Sequence, residues 1–198
     1  MSKRVNSHRG GRPLGFNRSQ ALQTSMELFW KRGYEGVSIA DLTKAIDIAP
    51  TSLYQAFGSK ADLFREALGL YESTVGPDVS EKMETATDVE TWVRTRLEVA
   101  ARSAAFNRRA CLVSSGMIMC HPNHQALADS LSERRTAFRK KIEKGLSRWL
   151  SHDQARDLAR FLATVVQGMS VQARDGADLR ALLSIVDISI KAIAQFCH

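Results

Sequence analysis

Apolar residues recur along most of the chain at three- and four-residue intervals, the spacing of helices with one buried stripe, while strand signals are weak throughout. Leu22, Met26, Phe29 and Trp30 form the first such stripe, in a helix that Asn17 caps with Gln20 three residues on and that Gly33 ends. Ser38 followed by Asp41 opens a short helix that buries Leu42, Ala45 and Ile46 and stops near Asp47. Pro50 suits the first turn of the next helix, where its missing N–H costs nothing, and that helix runs through Leu53, Tyr54 and Phe57 to Gly58. Ser59 with Asp62 caps a longer helix striped by Phe64, Ala67, Leu68 and Tyr71 and stopped by Gly76-Pro77.

Beyond a polar stretch from Gly76 to Thr87 the expected helices lengthen. They cover about 88–105, a broken segment through Cys111–Cys120, 123–150, 153–174 and 178–196, with Asp175-Gly176 leaving room only for a tight turn between antiparallel helices. The fold class is therefore all-α. The domain boundaries are a basic arm over 1–16, a domain of short helices over 17–75 and a helical bundle over 76–198.

Length and charge sharpen this picture. A chain of 198 residues with 44% hydrophobic and 25% charged residues is large enough to bury a core and too apolar for wholesale disorder. The net charge of +7 indicates an anionic partner, and residues 1–18, with Lys3, Arg4, Arg9, Arg12, Arg18 and no acid, hold most of it. No apolar stretch follows the basic residues as a secretory signal requires, and no run approaches the roughly 18 apolar residues of a membrane span, so a cytoplasmic protein is expected. The three cysteines, Cys111, Cys120 and Cys197, are too few and scattered for a disulfide framework. A glycine-rich phosphate loop, a nucleophile elbow and paired catalytic carboxylates are missing, so neither an enzyme nor a cofactor is expected.

Two short helices joined by a tight turn, the second opening on small polar side chains, fit a helix-turn-helix that lays its second helix in the DNA major groove. Thr51 and Ser52 can bond phosphates or base edges, Gln55 can address adenine with two hydrogen bonds, and Tyr54 can reach a phosphate oxygen. Lys60 adds a point charge beside a helix N-terminus. The same residues also serve as turn and capping residues in any short-helix pair.

The run GRPLGFNRSQALQTSMELFWKRGYEGVSIADLTKAIDIAPTSLYQAFGSKADLF resembles the DNA-binding domain of the TetR/AcrR family of bacterial transcriptional regulators. The resemblance rests on Ala21, Phe29, Gly33-Tyr34, Ser38-Ile39-Ala40-Asp41-Leu42, Ser52-Leu53-Tyr54, Phe57 and Ser59-Lys60. It implies phosphate contacts from Ser38, Thr51, Tyr54 and Lys60, base contacts around Ser52 and Gln55, and a basic arm with Arg12 entering the minor groove. In the second half, Cys111-Leu112-Val113 and the string from Gln167 to Ala177 are similar to a subgroup of that family, although Ala110 stands where relatives often carry glycine.

The resemblance further implies a homodimer held by the last two helices, a near-palindromic operator and repression relieved by a small-molecule effector. The dimer face is expected from Leu158, Leu162, Val165 and Val166 on one helix and Leu183, Val186 and Ile190 on the other, whose apolar faces are wider than one partner helix needs. Candidate effector contacts are Trp92, Arg96, Phe106, Met117, Trp149 and Phe161, aromatic and Met positions that more often simply pack. Cys111 and Cys120 are candidates for a redox switch, since Arg108 and Arg109 can lower a neighbouring thiol pKa. Along an unbroken helix their Cα atoms would stand about 13.5 Å apart, too far for a disulfide, but Gly116 can break that helix. Cys120, His121 and His124 lack a recognised zinc spacing, and no metal is expected. The alternative to a specific regulator is a basic protein that coats DNA without regard to sequence.

Overall fold

A computed structural model describes residues 15–75, 83, 85–107, 111–115 and 120–196. The helices are α1 (Arg18–Arg32), α2 (Ile39–Ile46), α3 (Pro50–Phe57), α4 (Lys60–Val75), α5 (Val89–Asn107), α6 (Leu112–Ser115), α7 (Gln125–Leu146), α8 (His152–Arg174) and α9 (Leu179–Phe196). There is no strand among the described residues, and no helix there is long and apolar enough to cross a membrane.

Local chemistry explains the element ends. Asn17 accepts from the Gln20 N–H at 3.1 Å, leaving fewer orphan donors at the start of α1. Ser38 and Asp41 form a reciprocal capping box on α2. Asp47 ends α2 in the left-handed conformation at φ 61°, which lets the chain reverse within three residues and launch α3 at Pro50. Ser59 and Asp62 exchange the same pair of bonds at the start of α4.

Two cores result. In the first, Phe29 meets the Phe64 ring edge-on at 5.0 Å between centroids and Tyr34 lies 5.2 Å from Phe64, with Leu42, Leu53 and Phe57 closing the three short helices on α4. This core extends past the expected boundary at residue 75, because Leu112 of α6 and Leu127, Ala128 and Leu131 from the first half of α7 are buried in it. The second core joins α5 and the end of α7 to α8 and α9 through Trp92, Leu97, Ile142, Leu146, Leu162 and Leu182.

One long helix departs from expectation at its C-terminal end. Instead of running to residue 150, α7 stops at Leu146, where Trp149 and Leu150 both donate backbone N–H bonds to the Leu146 carbonyl in a tight turn. Ser151 then caps α8 through a capping box with Gln154, two residues ahead of the expected start at 153.

Candidate nucleic-acid interface

The residues that face outward from α3 are set by those that face inward. Leu53 and Phe57 are buried one turn apart, so Thr51, Tyr54 and Gln55 are turned to solvent, Tyr54 at 47% exposure, with Ser52 half-buried beside them. Four polar side chains thus share the exposed surface of an eight-residue helix, a shape that fits a major groove. Arg12 lies outside the described residues.

Lys60, the first residue of α4, holds its ammonium 4.1 Å from the centre of the Tyr34 ring, a cation–π contact. Burial lowers its pKa, and the Glu35 and Asp41 charges oppose that fall. Ser38 uses its hydroxyl differently from the phosphate role the resemblance implies. The hydroxyl donates to the Asp41 carboxylate at 2.5 Å and accepts the Asp41 N–H at 3.0 Å, so a phosphate would have to compete with an anion already in place.

Arg18, which extends the run of arm charges in the sequence, has a structural task. Its guanidinium pairs with both oxygens of Glu66 at 2.7 and 2.9 Å, donates to the Ala56 carbonyl and stacks 4.5 Å from the centre of the Phe57 ring. It thereby ties the start of α1 to the end of α3. Arg32 on Asp41 at 3.1 Å makes a second such tie, to α2. These long-range pairs have no local sequence signature.

Further contacts join this head to α7. His124 Nδ1 lies 2.7 Å from Glu35 Oε1, the same oxygen accepts the His121 N–H, and Tyr34 meets the His124 ring edge-on. Glu35 is held below its ordinary pKa, chiefly by the hydrogen bond to His124. Arg134 pairs with Glu72 of α4. His121 accepts the Asn123 N–H at its own Nδ1, so both histidines of the Cys120–His124 stretch have partners within the fold. Cys111 and Cys120 are half-buried against the head core, and Cys111 hydrogen-bonds the buried Tyr71, whose pKa is raised first by burial and then by that thiol.

The expected effector contacts do not converge on one place. Phe106 is 90% exposed and walls no enclosed site. Trp92 is wedged against α7 so closely that a Cβ at Gly145 would lie 2.3 Å from its ring, making it a helix-packing residue. Trp149 borders the bundle core beside the turn after α7, Phe161 is 41% exposed on α8, and Met117 lies outside the described residues. Arg96 is the exception, half-buried with its Nε enclosed beside Phe138 and Met83.

The expected dimer residues also divide. Leu158, Leu162, Val186 and Ile190 are buried within the protomer and have no surface left for a partner, whereas Val165, Val166 and Leu183 stay half-covered. The apolar surface these two helices do present comes from Phe161, Val171 at 45% exposure and Ile188 at 65%. A stripe reports which positions share a face, but two apolar faces on one helix blur which is inside.

Residues 21–67 match the sequence profile of bacterial regulatory proteins, tetR family. The HTH-type transcriptional repressor BdcR of Escherichia coli K12 is 31% identical over 186 residues, 92% of each chain, and the repressor ComR of the same organism is 29% identical over 194 residues, 91% of this chain and 90% of that one. A cysteine-substituted variant of the TetR-family regulator CifR, solved with 26-bp double-strand operator DNA, superposes with a TM-score of 0.85 at 36% identity, over 92% of this chain and 99% of that one. With α3 presented on a rigid head and relatives alike over nearly their whole length, the chain belongs to the tetR family of bacterial regulatory proteins and is a helix-turn-helix transcriptional regulator that binds DNA.

Proposed function

We propose that the protein is a homodimeric repressor that reads a near-palindromic operator in the cytoplasm with α3 and is released from it by a small molecule bound in the α5–α9 bundle. The observation that carries the DNA half is the exposed set Thr51, Tyr54 and Gln55 on a helix fixed from behind by Leu53 and Phe57. CifR with its operator and the repressors BdcR and ComR support the same reading by similarity. Gln55 and Ser52 address base edges, Thr51 and Tyr54 address phosphates, and Lys60 leaves the Tyr34 ring for a phosphate. Ser38 joins them by giving up its bond to Asp41. Arg12 follows the minor groove. For the dimer, Phe161, Val171 and Ile188, with Val165, Val166 and Leu183 at their margin, supply an apolar face across the two-fold axis, and the two reading helices then fall about one DNA turn, roughly 34–36 Å, apart.

Fluorescence anisotropy on duplex DNA from immediately upstream of the gene, with random duplex as competitor, tests this. A preference of roughly 10³-fold or more supports a specific regulator, and no preference supports sequence-indifferent coating. Gln55→Ala should reduce discrimination between sequences by about 1–3 kcal/mol, while Lys60→Ala should weaken all DNA alike. Equal effects of both variants on operator and random DNA would sink the assignment. Repeating the titration after mild peroxide tests the cysteines: loss of binding that reductant restores and Cys111→Ser abolishes would make Cys111 the sensor, with Cys120 as its resolving thiol.

A further inference from the structure

Arg96 of α5 reaches toward α7 and is set in apolar surroundings. Its guanidinium stacks 4.8 Å from the centre of the Phe138 ring, and Nη1 donates to the Met83 sulfur at 3.6 Å. Its Nε is buried with no hydrogen-bond partner, the one such side-chain atom among the described residues. Three other arginines at α7 and α9 have oxygen partners: Arg134 has Glu72, Arg135 has the Val113 carbonyl, and Arg94 has Asp187. Burial pushes the Arg96 pKa down to about 10, and no acid among the described residues counters it. A guanidinium edge taken out of water without a hydrogen-bond partner is costly, so folds rarely keep one unless something else pairs it.

We infer that Arg96, Phe138 and Met83 form the anchor of a binding site for a small carboxylate with an apolar body. The planar fork of a guanidinium matches the two oxygens of a carboxylate, and the free Nε edge offers one of the two parallel N–H bonds. The Phe138 ring and the Met83 thioether then take the apolar remainder of the ligand. Phe138 lies one helical turn beyond Arg134, on the same side of α7, and Arg134 is paired with Glu72 of α4. An anion drawn in at Arg96 therefore acts on the helix that is bolted to the DNA-binding head.

This inference rests on the reading of the bundle as the effector domain and names the ligand class for it. The test uses the full chain and its Arg96→Met and Arg96→Lys variants, with benzoate, hexanoate, inorganic phosphate and the neutral benzamide as probes. Titration calorimetry and thermal melts should show benzoate or hexanoate binding the wild type and raising its Tm by about 3–5 °C at ten times Kd. Benzamide should do neither, Arg96→Lys should bind the carboxylates more weakly, and Arg96→Met should not bind them. Arg96→Met without any probe should melt above the wild type, because it removes an unpaired buried cation. Carboxylates that act alike on wild type and Arg96→Met, or on neither, overturn the site, and phosphate acting as strongly as the carboxylates overturns the ligand class. The same probes added to the operator complex separate the two readings. Arg96-dependent binding that leaves the DNA bound keeps the site and overturns release, whereas release that persists in Arg96→Met keeps the effector reading and overturns the site.

Discussion

The two cores of the molecule are built from different materials. The head buries five large rings, Phe29, Tyr34, Phe57, Phe64 and Tyr71, several in edge-on or tilted contact. The bundle core buries one large ring, Trp92, and seven alanines, Ala86, Ala101, Ala104, Ala155, Ala159, Ala163 and Ala173. Interlocked rings define one arrangement and resist any other, as a surface that must fit a groove requires. Alanine lets the bundle helices approach closely between larger aliphatic side chains such as Leu97, Leu162, Met169 and Leu182. The head is held by interlocked rings, the bundle by aliphatic side chains set among alanines.

Substitutions can break or sharpen that contrast. The largest effect is expected for Phe64→Ala, which removes the ring shared by Phe29 and Tyr34 and should cost about 3–5 kcal/mol by urea denaturation. Ala159→Leu in the bundle should cost less, about 1–3 kcal/mol, because helices held by small residues can move apart; a cost equal to that of Phe64→Ala would show the bundle to be as rigid as the head. Gly145→Ala probes the tightest point of the bundle, since its Cβ would meet the buried Trp92 ring. It should cost about 1–3 kcal/mol although alanine is the better helix former, and a gain in stability would show that α5 and α7 can part freely.

Smaller again is Ser59→Ala, which removes the cap of α4 and should cost about 1 kcal/mol with most of the loss in the head. The smallest expected effect is on pH dependence. Asp41 and Asp62 are held below the ordinary aspartate value of 3.8, chiefly by the side-chain hydrogen bonds of Ser38 and Ser59. A folded pKa below the unfolded one makes their contribution present above 3.8 and lost as pH falls through the folded value. Acid should therefore loosen the head, and Asp62→Asn should lower the neutral plateau of a Tm-against-pH curve and so flatten its acid limb.

The head was far more legible than the bundle, for a physical reason. Asn17, Ser38, Asp47 and Ser59 act on backbone groups within a few residues, so short-range chemistry alone marks four ends of three helices. The exposed face of α3 follows from the spacing of Leu53 and Phe57. What escaped depends on residues distant in sequence: Arg18 on Glu66, Glu35 on His124, Arg134 on Glu72. The same limit explains the dimer residues, because the apolar face of α8 is one continuous surface and only packing against α5 and α7 reveals that Leu158 and Leu162 are covered within the protomer. Arg96 stands among the candidate effector contacts in the sequence, but that its Nε is buried without a partner is a three-dimensional fact.

The burial of Leu127, Ala128 and Leu131 in the head core sets a rule for building chimeras from this protein. A reading head excised at residue 75 and fused to a foreign sensor would present the bare apolar seat that those side chains fill, and such a fusion should self-associate or precipitate. The transplantable module is the head together with the first three turns of α7, and a graft that keeps Glu35 with His124 and Glu72 with Arg134 carries its own control lever with it.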